Sequence, residues 1–501
     1  MVRLPRPMRE VLRSVNVEGG TGLVNNAQNA DGRVINGQTA IDVANTMVGE
    51  TAQRGRLGLH QLLVAALLLL MVVTSISPAK AQRGLKVIRD VEIETLLHDI
   101  TNPVLDAAGI SRGSVKLYIV QDKNLNAFVA GGLNLFVNTG LLMRTEHAGQ
   151  LAGVIAHEVG HIAGGHLTRI SGAQDRAVAS VILSTVLGAA AAVAGAPALG
   201  TAIIAGGQTE AKSGLLAFSR SQEQAADQAG VSYLRRIGVS SAGLAEFFQI
   251  LDEQSLLSAS RQNPYVRSHP LTRDRIRFVE GQVEQEEKVG RGYPAAWTER
   301  HARMVAKLEA FLDEPGRILQ KATEDSLTDR YRRAIALYRL PDLKKAVAEI
   351  DSLIAENPDD PYFHELKGQM LFENGRVNEA VQPYRDALKL KPTTLFQIGL
   401  ARALMESGGN ESGREAIDHL QAAVRDEPDN AGAWRLLGIA QGRAGDEVEA
   451  SLSLAEWALL AGKRDDAELH ARRAESKIGP NDPGWLQLQD ILRAIEDKKS
   501  G

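Results

Sequence analysis

His157-Glu158-Val159-Gly160-His161 sets two imidazoles four residues apart, with a carboxyl beside the first, inside an apolar run that reads as a helix. On an α-helix such residues lie about 40° apart around the axis, so both rings leave one face and can grip one metal ion. Glu158 then stands where it can take a proton from a metal-bound water, which is the chemistry of a metal-dependent hydrolase. Neutral imidazoles with an open coordination position suit zinc, and one ion per chain is expected. A third protein ligand is required. The continuation that would supply another His six residues on reaches Leu167 instead, although Gly164 fits it. His166 lies half a turn around the helix from His157, cannot share the ion with both, and is read as a solvent-facing or supporting residue.

A carboxylate from a second helix is the alternative. Ser219-Arg220-Ser221-Gln222-Glu223-Gln224-Ala225-Ala226-Asp227 has Ser at a capping position and Gln three residues later, which predicts a helix start. Glu223 and Asp227 share one face of it. Glu223 is the candidate ligand, and Asp227 the carboxylate that orients a ligand imidazole. A solvated acidic face would normally carry Lys or Arg one turn away. Here Ala225, Ala226 and Ala229 surround the pair, small residues that permit close packing on the first helix.

These residues are similar to the gluzincin family that contains the CAAX prenyl proteases and the bacterial heat-shock membrane metalloprotease. The resemblance covers roughly residues 90–285. Asn126-Ala127-Phe128-Val129-Ala130-Gly131-Gly132 resembles the edge strand with which gluzincins pair to substrate backbone, and Leu135–Leu142 continues it. The resemblance implies that Asn126 and Ala127 contact an extended substrate. Ser268-His269-Pro270 resembles the family's downstream His-Pro element, which makes His269 a candidate fourth ligand or oxyanion donor. In such relatives that His can hold the enzyme shut.

The remainder of the chain sets bounds. At 501 residues two domains are expected. A net charge of −4 without a long basic patch argues against nucleic acid as partner, and the lack of Cys excludes thiol catalysis and disulfides. Arg54 and Arg56, the apolar run Leu62–Val73 and Pro78-Ala79-Lys80-Ala81 read as a signal peptide over 56–81 cleaved after Ala81. Residues 1–55 read as a disordered or mis-started extension, Met47 offering a start of ordinary length. Ala177–Thr209 is uncharged but rich in Ala and Gly, with Pro197 within it. It is read as a broken helical lid over the cleft, able to touch a membrane surface, rather than a membrane span.

The C-terminal third repeats. Pro358 and Pro392 are 34 apart and Pro428 follows after 36, with Gly408-Gly409 as insertion site. Ala334 aligns with Gly368, Ala346 with Ala380 and Ala416, and Leu353 with Ala387 and Ala423. Small residues at fixed positions in a 34-residue period mark tetratricopeptide repeats. The register blurs after Leu460, so about four repeats and a capping helix near Leu486–Ile495 are expected.

The fold class is therefore mainly α: a helical gluzincin metallopeptidase domain with a small β-sheet, followed by an all-α tetratricopeptide-repeat solenoid. The peptidase domain is assigned to 82–290, a helical linker amphipathic around Met304, Leu308 and Phe311 to 291–326, and the repeats to 327–496. An export signal followed by such a peptidase and repeats implies, by resemblance, a periplasmic zinc endopeptidase. Its expected substrates are unfolded or misassembled outer-membrane proteins, with the β-barrel assembly machinery or clients docked on the repeats. A chaperone or assembly scaffold with latent peptidase activity, and an integral membrane protease, are the alternatives.

Overall fold

The computed structural model describes residues 86–166, 197–255, 262, 264–288 and 290–500. The signal peptide, the extension before it, and residues 177–196 of the expected lid lie outside the described residues. No helix among the described residues is long and apolar enough to cross a membrane.

The first half is a helical domain built against a small sheet. Helix α1 (Val91–Ala108) starts at Asp90, whose carboxylate accepts from the Ile93 N–H, and ends at Gly109 in the left-handed conformation (φ 72°). Its apolar stripe of Ile93, Leu96, Leu97, Ile100, Val104 and Leu105 enters the core. Strands β1 (Val87–Ile88), β2 (Lys116–Val120), β3 (Ala127–Ala130) and β4 (Asn134–Asn138) form one sheet in the order β1-β2-β4-β3. β2 and β4 run parallel, and β3 pairs antiparallel to β4 at the edge. Then come α2 (Thr139–Arg144), α3 (Ala148–Ala163), α4 (Pro197–Arg236), α5 (Ala242–Ser255), α6 (Pro264–Ser268) and α7 (Arg273–Glu287).

The segment expected as a linker is a packed element. Helix α8 (Ala295–Leu312) sends Trp297, Met304 and Leu308 into the core of the first half, and Ala310 into the core of the first repeat. A short helix, α9 (Pro315–Lys321), follows it.

Ten helices then stack in pairs: α10 (Leu327–Arg339) with α11 (Leu343–Glu356), α12 (Pro361–Glu373) with α13 (Val377–Leu390), α14 (Thr394–Ser407) with α15 (Asn410–Asp426), α16 (Ala431–Ala444) with α17 (Glu447–Leu460), and α18 (Arg464–Glu475) with α19 (Trp485–Ser500). Of the residues aligned by the period, Ala334, Ala346, Ala380, Ala416, Leu353, Ala387 and Ala423 are fully buried, while Leu337, aligned with Leu371, is half-buried. A Cβ on Gly368 would lie 2.9 Å from the Tyr384 ring, which is why the paired helices need a small residue there. The 36-residue spacing has a local cause. α15 runs 17 residues against 14 in α11 and α13, the additional turn entering directly after Gly408 and Gly409. Beyond Leu460, where the period blurs, α18 and α19 close the stack through Ala467, Ala471, Ala474, Leu488, Ile491 and Ile495.

A buried ionic cluster ties the first repeats to α1. Arg303 on α8 lies 2.8 Å from Glu92 and also pairs with Asp360, while Lys307 sits 2.7 Å from Asp90 and 3.3 Å from Glu92. The Tyr331 hydroxyl donates to Glu92 at 2.9 Å. Burial would push the Lys307 ammonium down, but Asp90 and its neighbours raise it well above the ordinary lysine range. Charges so buried are tolerable only as a set, since removing one leaves its partners uncompensated. Arg303→Met should therefore destabilise the chain by about 3–5 kcal/mol, whereas Tyr331→Phe should cost only about 1 kcal/mol. Denaturant titration of the full chain distinguishes the two, and equal small losses would remove the cluster from this role.

Candidate metal centre

The site is assembled where α3 and α4 touch backbone to backbone. A Cβ on Gly160 would fall 2.7 Å from the Ala226 carbonyl oxygen, and one on Gly230 would fall 3.0 Å from the Ala156 carbonyl carbon. Glycine at these crossings lets two short side-chain sets, one from each helix, meet in one place. α3 begins at His147, whose Nδ1 accepts from the Gly149 N–H at 3.1 Å. α4 differs from the sequence expectation. It is continuous from Pro197, so Ser219 lies inside the helix rather than at its cap. The Ser-x-x-Gln spacing that suggests a cap also occurs within helices. Here, with no Pro after 197, propagation of the existing helix outweighs starting a new one.

Four candidate ligands converge. Donor atoms of His157, His161, Glu223 and His269 all lie within 4.8 Å of one another. His157 Nε2 is 3.0 Å from His161 Nε2, 3.3 Å from His269 Nδ1 and 3.4 Å from Glu223 Oε2. Glu223 is 3.3 Å from His161 Nε2 and 3.2 Å from His269 Nδ1. Ligand atoms about 2.0–2.1 Å from a tetrahedral ion sit about 3.3–3.4 Å apart. The donor set therefore fits a metal ion of zinc's size. Charge points the same way. Among the described residues, Arg275 is the guanidinium that pairs with both Glu223 and Asp227, and a cation held beside Glu158 would add to the positive charge this acidic site accepts.

Asp227 sets the tautomer of the first imidazole. Its Oδ1 lies 2.8 Å from His157 Nδ1, so that nitrogen carries the hydrogen and Nε2 offers its lone pair to the centre. Asp227 is itself clamped by Arg275, whose Nε donates to Oδ2 at 2.6 Å and whose Nη2 donates to Oδ1 at 2.9 Å. Arg275 Nη1 also lies 3.0 Å from Glu223 and donates to the Pro270 carbonyl at 2.8 Å. One buried guanidinium thus links the acidic pair of α4 to the loop carrying His269.

The electrostatics follow from these contacts. Burial would raise Glu223, but His269, His157 and His161 hold its carboxyl far below the usual range. Burial would likewise raise Asp227, and the bonds from Arg275 and His157 overcome it. Burial pushes the His161 imidazole down to about 3, leaving it neutral, as a ligand must be. At His157 burial opposes protonation, yet Asp227 and Glu223 outweigh it and raise the ring to about 9: positive charge is favoured at this point. Glu158 is raised, chiefly by burial. Its Oε1 is buried without a hydrogen-bond partner and faces His269 Nε2 at 3.5 Å. A carboxylate with a free lone pair beside the ligand cluster is positioned for proton transfer.

Two of the residues around the cluster were not singled out from the sequence. Arg275 could have been noticed as a charged residue on the buried stripe Arg275, Val279 and Glu286 of α7. Tyr265, stacked on His269 with ring centroids 4.3 Å apart, has no such signal. His166 is buried, and its Nδ1 lies 2.9 Å from His161 Nδ1, so it supports that ring rather than facing solvent. At the sheet edge the Asn126 carbonyl accepts from the Asn138 N–H at 3.0 Å, so that carbonyl is directed to β4. The alternation of an antiparallel pair instead turns the main-chain groups of Ala127 and Val129 toward the outer edge of β3.

Asp227→Asn should weaken metal affinity about 10–100-fold, measured by competition with a chromogenic chelator. Unchanged affinity would detach Asp227 from the site. Gly160→Val should separate α3 from α4, costing roughly 1–3 kcal/mol of stability and abolishing stoichiometric metal binding. Full metal content in the variant would show that the close crossing is dispensable.

Comparison with known proteins agrees with this geometry. Residues 92–283 match the model of Peptidase family M48, and residues 331–393 and 398–450 match a tetratricopeptide-repeat model. The chain is 24% identical to the β-barrel assembly-enhancing protease of Escherichia coli (strain K12), over 76% of this chain and 79% of the relative. It is 25% identical to the protein of the same name from Yersinia pestis, over 82% of this chain and 85% of the relative. The metalloprotease LoiP of Escherichia coli (strain K12) is 33% identical over 33% of this chain and 60% of its own length. With the donor cluster, the acid beside it and the helix pairs on the page, the chain is a metalloprotease whose catalytic domain is of peptidase family M48 and whose C-terminal region is built of tetratricopeptide repeats.

Proposed function

We propose that the protein is a zinc-dependent endopeptidase of the cell envelope that hydrolyses unfolded or misassembled outer-membrane proteins. The convergence of His157, His161 and Glu223 beside the Glu158 carboxylate, whose buried Oε1 has no hydrogen-bond partner, carries this reading. His157, His161 and Glu223 hold the ion, which when bound supplies Lewis-acid polarisation of a carbonyl and of water. Glu158 accepts the proton of the attacking water and returns it to the leaving amine. Asp227, clamped by Arg275, keeps the His157 ring in the ligating tautomer. The substrate lies extended along β3, hydrogen-bonded to the main chain of Ala127 and Val129. Such pairing reads backbone rather than side chains, so it suits a segment that has failed to fold.

Selection of clients then falls to the repeats, which are protein-interaction modules. Names of relatives as β-barrel assembly-enhancing proteases support clients of that class, docked directly or through the assembly machinery. Docking raises the local concentration of a loose segment at the peptidase. A periplasmic location, reached through the signal peptide over 56–81, follows from the same reading.

One observation favours a second mode. His269 Nδ1 lies in the donor cluster, where it fills the position a substrate carbonyl would need. In that state the peptidase is held shut and the protein acts as an assembly factor through its repeats.

Glu158→Gln should reduce client hydrolysis by about 10²–10⁴-fold while leaving metal content at one ion per chain. His269→Ala should raise hydrolysis without loss of metal. If Glu158→Gln leaves both client turnover and rescue of barrel assembly intact, the peptidase reading fails.

A further inference from the structure

The outer face of the sheet carries a feature that backbone pairing alone does not use. Side chains alternate along a strand, and Ile119, Leu135, Val137 and Ala127 turn into the core. Tyr118, Phe136 and Phe128 turn the other way. The register sets Tyr118 opposite Phe136 and Phe136 opposite Phe128, so the three form one row across β2, β4 and β3. Their ring centroids are 5.1 and 5.0 Å apart, with planes within 17° and 14° of parallel. That spacing is close to the distance between strands, so the rings make a ladder that repeats with the sheet. All three are half-buried, and the ladder stops at Phe128 because β3 is the edge strand among the described residues.

The same face is flanked by the solenoid. Lys116 stands two residues before Tyr118 and therefore on its side of the sheet, and its ammonium pairs with Asp429 between α15 and α16. Arg89, just ahead of α1, pairs with Glu427 at 2.9 Å in the same solenoid segment. A segment leaving the repeats near this point has the ladder beside it.

We propose that Phe128 is a specificity-determining contact, and that the substrate class is extended segments bearing an aromatic side chain at the position paired with it. The inference rests on the reading of β3 as the substrate-binding edge. Phe128 bonds inward to β4, so in an antiparallel strand added outside β3 the residue facing it occupies a non-hydrogen-bonded pair, where side chains come closest. An aromatic ring there becomes the fourth rung. The positions two residues to either side face Asn126 and Ala130, which offer no ring, so the preference is confined to one substrate position.

The test uses the full-length protein and a short synthetic peptide of Ser and Thr in which a single Phe is moved along the sequence, with kcat/KM measured at each placement. One placement should exceed its Ser counterpart about two- to fivefold. In Phe128→Thr, which keeps a strand-forming residue, that ratio should fall to about one. Phe128→Leu should give the same collapse if the Thr variant does not fold. A ratio that survives both variants overturns the proposal, as does an absence of any preferred placement. N-methylation of alternate peptide nitrogens separates the two levels. If it abolishes cleavage while no placement is preferred, strand addition stands and the ladder contact fails. If it changes nothing, the edge reading itself fails and the ladder contact with it.

Discussion

The approach of α3 to α4 at Gly160 and Gly230 is the constraint on which the site depends. Imidazole and carboxylate side chains are short, and they can share an ion only if the helices that bear them nearly touch. A methyl at Gly160 would meet main-chain atoms of Ala226 that must shift, and one at Gly230 would press on the main chain of Ala156. Glu158 inherits this constraint, since it is fixed in direction by the helix that fixes His157. Gly160 therefore sits inside the stretch from His157 to His161 for a packing reason as much as for spacing.

Around that crossing the protein gathers charge that would be ruinous unpaired. Glu223 and Asp227 are buried on α4, and Arg275 reaches them both from α7 while also holding the Pro270 carbonyl. The guanidinium suits this task because its planar fork meets Asp227 with two donors and keeps a third for the loop. The loop so held is the one that carries His269 to the ligand cluster. Glu223, Asp227 and the loop that carries His269 are consequently joined through one guanidinium.

The repeats are joined to the peptidase half in two physically different ways. At the start of the solenoid the join is buried: α8 belongs to two cores, and Arg303 and Lys307 sit among Asp90, Glu92 and Asp360. Farther along, it consists of the more exposed pairs Arg89–Glu427 and Lys116–Asp429. Exposed pairs are individually weak and are screened by salt. The first contact holds the solenoid, while the second fixes which part of it lies along the sheet.

What the chain announces locally was legible. The pair His157 and His161 is a matter of helical period, and a 34-residue repeat shows itself because each unit must bury the same small residues against its neighbour. Glu223 was legible by type, as a carboxylate among alanines, though its nearness to His157 was not. Tertiary structure decided the rest. Ser219 had the chemistry of a cap, but an already formed helix runs through it. The stretch around Met304 had the pattern of a linker, yet it is packed into two cores. The Asn126 carbonyl bonds to β4, a direction that only strand pairing sets. Arg275 is 48 residues from Asp227, and no spacing along the chain encodes their contact. Period and propensity act over a few residues, so a sequence states them directly. Which helices meet, and which charge ends beside which, is settled by packing between distant segments, and only the folded chain brings those segments together.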